Sequence, residues 1–301
     1  GFTRKIKWNK KKLFYQVETL IFGNAINRAL YPDRLIIGCS NFPSSIDNKL
    51  KIFLRKFNCP ILCMRYESAE FAKISINTCL SSTITTTNIL AELCEKIGAD
   101  WSEIIPALKM DKRIGQHAYI KPGLGISGGN LERDLNNVVD IAEKYKINNR
   151  SIKAMILNSQ YSKNWAWRQL KELVLKNKKK PKICLLGLSY KENTSSIKNA
   201  PSINLLAKLK KYNVSVFDPA VPIDAINYPV NIAKSSIEAI RKADVLLIMS
   251  PWKEFCYLKI KILNKIMRGK VIIDPYRMLN EHELNKYGFI YSTIGKSRKI
   301  K

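Results

Sequence analysis

The sequence predicts an α/β protein: a helical central domain built on one long helix, a C-terminal doubly wound parallel sheet, and a remnant of an N-terminal α/β domain before both. Residues 182–301 alternate short apolar runs with helix-like segments, the pattern of parallel strands joined by crossover helices. Residues 67–97 carry apolar side chains at helical spacing, and neither Pro nor Gly interrupts them until Gly98. Residues 1–66 hold two apolar runs and too few further elements to make a stable sheet alone.

Taken in order, Leu35-Ile36-Ile37-Gly38 follows the turn-forming Tyr31-Pro32-Asp33-Arg34 and reads as a buried strand. Pro60 to Met64 reads as a second, with a helix of roughly 44–56 between them. The chain opens at Gly1 in a basic segment, so residues 1–66 are expected to be the tail of a longer domain. For the long helix, Ser68 is the expected N-cap, and Ala69, Ala72, Ile76, Leu80, Ile84, Leu90 and Leu93 form its apolar stripe. Asp100-Trp101-Ser102-Glu103 opens the next helix in the manner of a capping box. A glycine-rich loop, Pro122 to Gly129, precedes helices expected at roughly 131–146 and 151–176. Beyond the linker 177–181, strands are expected at 182–188, 214–218, 244–249 and 270–274, with helices near 202–211 and 236–242. The expected domains are therefore 1–66, 67–176 and 177–301. Ligands of such sheets bind beyond the carboxyl ends of the strands, where Gly187, Asp218, Ser250 and Asp274 fall.

The formal charge of +28 would suit nucleic acid, an anionic membrane or a phosphorylated small molecule. It is equally what lysines spread over solvated faces produce. Lys10-Lys11-Lys12 and Lys178-Lys179-Lys180 are short and lack interleaved aromatics, so a nucleic-acid platform is not expected. The seven cysteines form no C-x-x-C pair and several sit in apolar runs. Buried free thiols in a reducing cytoplasm are expected, with neither disulfides nor a metal site. No apolar run approaches the ~20 residues of a membrane span. His117 and His282 read as surface or satisfied polar residues.

Three features point to chemistry. Lys73 and Asn77 lie four apart on one face of the long helix, although on a solvent face such a pair would mean nothing. The glycine loop ends in Asn130-Leu131-Glu132-Arg133-Asp134, and its backbone could offer N–H donors to phosphate or sugar oxygens. A tight turn between helices would look similar. Finally, Gly187 to Thr194 closes the first C-terminal strand and is followed by Lys198-Asn199-Ala200-Pro201. Lys191 at that strand end would suit a diphosphate, or be a solvated loop lysine.

In this order the features resemble the UDP-glucose/GDP-mannose dehydrogenase family over nearly the whole chain. Val17 to Ala25 resembles its Pro-Glu-Phe-Leu-Arg-Glu-Gly-x-Ala segment, and Pro32-Asp33-Arg34 with the following strand its Pro-Asp-Arg-x-x-x-Gly turn. Ala69-Glu70 through Lys73 to Asn77 is similar to Ala-Glu-x-x-Lys-x-x-x-Asn, and Arg113-Ile114-Gly115 to Arg-Ile-Gly. Pro122 to Asp134 resembles Pro-Gly-x-Gly-Tyr-Gly-Gly-Ser-Cys-Phe-Pro-Lys-Asp, and Lys191 to Pro201 resembles Lys-x-x-Thr-Asp-Asp-x-Arg-x-Ser-Pro.

The resemblance implies an NAD-dependent, four-electron oxidation of the C6 alcohol of a UDP- or GDP-sugar, through a Cys thiohemiacetal, to the acid. It implies a Rossmann-like sugar-nucleotide domain at the C-terminus, a homodimer through the long helix, and a glycine-rich NAD turn absent from this sequence. Carried over by position, it has Lys73 and Asn77 polarise the C6 oxygen, Asp134 position a water and Glu18 act as the hydrolytic base. Arg113 would reach a partner subunit's sugar nucleotide, while Lys191, Arg277 and the loop glycines Gly123, Gly125 and Gly128 would hold the substrate. The departures are as specific. Asn130 stands at the nucleophile position, and an amide forms no thiohemiacetal. Arg133 replaces Lys, Ser195-Ser196 replaces Asp-Asp, Lys198 replaces Arg, Ala200 replaces Ser, and Phe22 replaces an acid. Three readings stay open at this point: a dehydrogenase relative with Asn130, a non-catalytic sugar-nucleotide binder or fragment, and an anion-binding interaction protein.

Overall fold

The structure is a computed structural model that describes residues 2–20, 23–40 and 46–298. The chain divides into two compact units, Gly1–Cys79 and Leu80–Lys301. Phe22 and positions 44 and 45 of the expected helix lie outside the described residues.

The first unit contains α1 (Phe2–Lys5), β1 (Tyr15–Gln16), α2 (Ala25–Leu30), β2 (Leu35–Cys39), α3 (Asn48–Arg55), β3 (Ile61–Arg65) and the start of α4 (Tyr66–Ile97). Asp47 caps α3 by accepting from the Lys49 and Leu50 amides. β2 and β3 pair in parallel, as a strand–helix–strand crossover requires, and β1 adds an antiparallel edge. Two residues long and without alternation, β1 had no sequence signal. α4 begins at Tyr66, directly after β3, so Ser68 lies inside the first turn and does not cap it. Close packing sets that junction: a Cβ on Gly38 would sit 2.9 Å from the Ala69 Cβ.

The second unit continues along α4 and adds α5 (Trp101–Met110), α6 (Asn130–Lys144), α7 (Arg150–Lys163) and α8 (Trp165–Leu170). It then alternates β4 (Lys182–Leu186), α9 (Pro201–Lys208), β5 (Asn213–Phe217), β6 (Asn231–Ile232), α10 (Ser236–Ile240), β7 (Val245–Ile248), α11 (Ile260–Ile266), β8 (Val271–Ile273), α12 (Glu281–Lys286) and β9 (Ile290–Ser292). The expected helix of 151–176 breaks at Asn164 and resumes as α8 with a π-type turn at Lys171–Leu175. The break turns the Trp165 indole inward, where it is buried and donates to Glu95.

Six parallel strands run in the order β6-β5-β4-β7-β8-β9, with β6 and β9 extending the four expected. Alternate residues of the central strands enter opposite cores. Ile183, Leu185, Val245 and Leu247 pack with Trp165, Leu170 and Leu206, while Cys184, Leu186, Leu246 and Ile248 pack with Phe255, Leu263 and Leu284. Cys39, Cys94 and Cys184 are buried, but Cys79 and Cys256 are exposed, against the expectation of buried thiols. Cys79 lies on an outer face of α4 and Cys256 in the short turn Lys253–Tyr257. Among the described residues no helix is long and apolar enough to cross a membrane, and no three His, Cys, Asp or Glu cluster to hold a metal.

Glu95 fastens α4 to the far end of this unit, accepting from Trp165 Nε1 at 3.0 Å and from the Gly295 amide at 3.2 Å. Burial pushes its carboxyl up to about 7, against the pull of those two donors. A folded-state value above the unfolded one means that protonation favours the fold, so stability falls as pH rises from the ordinary carboxylate range to about 7. Glu95→Gln keeps an acceptor without the charge. It is expected to stabilise the protein by about 1–3 kcal/mol above pH 7 and to flatten the dependence below it, as read by urea unfolding across pH.

Candidate functional site

In the first unit, α4 carries Lys73 and, one turn on, Asn77. The Lys73 Nζ lies 2.6 Å from Glu18 Oε2, and the Leu20 amide also donates to Glu18. Burial alone would raise the Glu18 carboxyl, but the Lys73 hydrogen bond and the Leu20 amide outweigh it and hold the group below the usual range. Two residues assigned separate roles by resemblance thus form one ion pair.

In the second unit, the glycine loop is shaped by what lies under it. Gly123 donates to Asn88 Oδ1 at 2.9 Å and Ile126 to Ser159 Oγ at 2.8 Å, while Leu124 and Ile126 are buried as anchors. Gly125 has φ +75°, and a Cβ there would meet the Ser159 carbonyl oxygen at 2.5 Å. Gly128 has φ +76°, with the Tyr190 ring 2.9 Å from where a Cβ would lie. The loop therefore lies against the segment after β4 that carries Lys191. Burial lowers the Lys191 pKa, with Glu192 opposing the shift. Asn130 opens α6, and one turn later Asp134 is buried, with Arg133 Nε donating to its Oδ1 at 3.2 Å.

Strand order reverses direction between β4 and β7, where the crevice of a doubly wound sheet opens. Gly187 and Ser250 end those two strands, and a Cβ on Gly187 would sit 2.1 Å from Ser250 Oγ. That hydroxyl is buried and has no hydrogen-bond partner among the described residues. Asp218, after β5, accepts from the Leu188 amide at 2.6 Å, the Ser189 amide at 3.0 Å and Trp252 Nε1 at 3.2 Å, fixing the start of the Lys191 segment. Asp274 is sealed: it accepts from Tyr291 at 2.7 Å and from the Tyr276, Met278 and Leu279 amides.

Two expected residues stand differently. Arg113 is highly exposed and paired with nearby Asp111 at 2.6 Å. Arg277, at φ +55°, bonds Asp100 at 2.7 Å and Ser102 Oγ at 2.8 Å at the start of α5. Trp252 and Lys163 escaped the sequence reading. A Trp just past a strand-end Ser-Pro was a usable signal for the first, whereas nothing in the sequence placed Lys163 near the loop.

A doubly wound parallel sheet with its switch point bordered by a glycine loop and a half-buried lysine defines an α/β protein with a ligand crevice at the carboxyl ends of its strands. Comparison with known proteins narrows this. The UDP-glucose/GDP-mannose dehydrogenase central domain matches residues 67–160, and the UDP binding domain of the same family matches residues 184–281. The chain is 28% identical to a UDP-glucose 6-dehydrogenase of Rickettsia conorii over 292 residues, spanning 92% of this chain and 65% of that protein. A UDP-glucose dehydrogenase structure from Pyrobaculum islandicum superposes with a TM-score of 0.78 at 23% identity, covering 94% of this chain and 63% of that one. A UDP-D-ManNAc dehydrogenase from Pyrococcus horikoshii does so at 0.79 and 24%, covering 94% and 64%. The chain belongs to the UDP-glucose/GDP-mannose dehydrogenase family.

Gly125→Ala is expected to destabilise the second unit by about 2–4 kcal/mol, by combining a left-handed backbone with a clash, and urea unfolding measures it. Lys73→Met should move the Glu18 titration up toward the ordinary carboxylate range, followed by carbon-detected NMR. The global stability change should stay under about 1 kcal/mol, because the pair is solvent-exposed.

Proposed function

We propose that the chain is the sugar-nucleotide-handling part of a nucleotide-sugar dehydrogenase acting at the C6 alcohol of a UDP- or GDP-sugar, with NAD as the oxidant. The observation that carries this is the meeting of the glycine loop with the Lys191 segment at the switch point, where the Gly128 backbone lies over the Tyr190 ring. A half-buried lysine there favours a diphosphate, whose charge would offset the desolvation that depresses Lys191. Lys73 and Asn77 would polarise the C6 oxygen and hold its developing charge. Asp134, fixed by burial on α6, would orient a water. Arg277 would join the substrate by exchanging its Asp100 contact for phosphate, and Arg113 would reach a partner subunit's ligand.

Asn130 decides how far the oxidation runs. A carboxamide nitrogen is too weak a nucleophile to hold the aldehyde covalently. The reading is therefore a two-electron oxidation that stops at the aldehyde, or continues through its hydrate without a thiohemiacetal. Toward NAD itself the fit is partial. Gly123-Leu124-Gly125-Ile126-Ser127-Gly128 has G-x-G-x-x-G spacing, yet it enters α6 from an irregular segment and not from a strand. A pyrophosphate turn joins strand to helix, and the described residues offer none of that kind, so the roles above concern the sugar nucleotide alone.

The Glu18–Lys73 ion pair supports a second reading, a non-catalytic sugar-nucleotide binder, because it ties up the ammonium that would polarise the alcohol. The exposed Ile89, Leu90, Leu93 and Ile97 on α4 support the homodimer expected through the long helix. The buried thiols of Cys39, Cys94 and Cys184 support a cytoplasmic setting.

Titration calorimetry with UDP-glucose, UDP-N-acetyl sugars and GDP-mannose tests the binding. Base-selective micromolar binding is expected, weakened at least about tenfold by Lys191→Met. Failure of all three sugars would reduce the reading to a family relationship. With NAD supplied alongside an NAD-binding domain, one NADH per sugar marks arrest at the aldehyde and two mark oxidation through the hydrate; Asn130→Cys is expected to give two, whereas binding without NADH selects the non-catalytic reading.

A further inference from the structure

Lys163, the last residue of α7, has a side chain only 5% exposed. Its ammonium lies 3.0 Å from Glu132 Oε2 and donates to Asn199 Oδ1 at 2.8 Å. The Asn199 amide donates in turn to Glu132 and to the Gly128 carbonyl oxygen, the latter at 3.3 Å. Asn199 holds a left-handed backbone, φ +53°, which Asn tolerates better than most residues. The Lys163 stem also runs under the loop, its Cγ 3.3 Å from where a Cβ on Gly125 would lie. A cleft of about 430 Å³ lined by Glu132, Lys163, Asn199 and Lys208 opens behind this cluster.

A buried ammonium is costly unless it is paired and hydrogen-bonded. Here both of its named partners belong to the parts that build the proposed site. Glu132 sits in the first turn of α6, two residues after Asn130 and two before Asp134. Asn199 belongs to the Lys191–Pro201 run and grips the Gly128 carbonyl. In a trans peptide the N–H points opposite to the C=O, so holding the Gly128 oxygen from behind turns the Gly129 N–H toward the other side of the loop. Glu132 also stands where the resembled motif carries Pro, a residue with no group to meet a lysine.

We infer that Lys163 is a positioning residue: through Glu132 and Asn199 it locks the Gly128–Gly129 peptide and the first turn of α6 in the orientation that receives the sugar nucleotide. This rests on the sugar-nucleotide reading for its consequence, but not for its geometry. Lys163 touches no substrate, and its effect passes entirely through the loop.

The test uses the whole chain as Lys163→Met, Lys163→Arg and the double variant Lys163→Met/Glu132→Gln, the last guarding against collapse around an unpaired carboxylate. UDP-glucose affinity is read by calorimetry and amide hydrogen exchange along the chain by mass spectrometry. Lys163→Met is expected to weaken UDP-glucose binding about tenfold or more. It should also accelerate exchange in residues 125–131 by about tenfold, with the sheet amides unchanged. The double variant should behave alike, and Lys163→Arg should recover affinity to within about threefold of wild type. Unchanged exchange in 125–131, or acceleration spread evenly over the second unit, overturns the inference. If the wild type binds no nucleotide sugar, the functional reading fails on its own, and the exchange comparison still decides whether Lys163 holds the loop.

Discussion

A central strand with no face toward water is the constraint on which the second unit depends. β4 is flanked on both edges by parallel partners, and its side chains enter two separate cores. Both faces must be covered, so α8 and α9 pack on one side and α10, α11 and α12 on the other. Once β4 is fixed, its carboxyl end is fixed too, and with it Gly187 and the Lys191 segment. The helices of the 130–170 region then bring the glycine loop to that end. Their attachment is polar as well as apolar: Ser292 donates to Gln169 at 2.9 Å, and Glu95 grips both Trp165 and Gly295.

Much of this was legible in the sequence because burial leaves a periodic trace. The four inner strands and the long helix announced themselves through uninterrupted apolar runs or a helical stripe. What stayed hidden has physical causes. β1 and β6 are two residues long, too short to show a period. The Asn164 break accompanies the burial of the Trp165 indole against Glu95, a tertiary contact no local propensity encodes. The start of α4 was misplaced because Ser68 looks like a cap, while β3 in fact feeds the helix directly.

The site was legible by kind but not by partnership. Lys73 and Lys191 were singled out by type and place, and Glu18 and Asp134 by the family resemblance, yet the Glu18–Lys73 pair and the Asp100–Arg277 pair join residues 55 and 177 positions apart. Spacing rules reach a few residues along a helix or strand, and such pairs lie beyond them. Lys163 is the clearest case, since in sequence it is one lysine among many, and only its burial distinguishes it.

The glycine loop has one more property. Its anchors lie far along the chain, with Asn88 35 residues before Gly123, Ser159 33 residues after Ile126, and Asn199 71 residues after Gly128. Each contact closes a long loop of chain before it gains anything, and glycines carry the largest backbone entropy into that closure. The loop must therefore wait until α4, α7 and the start of the sheet have met, which makes it a late event in folding. The same ledger run backwards makes it an early segment to open. The expected consequence is two lifetimes in one molecule: a sheet that persists, and a glycine loop that sets last and loosens first.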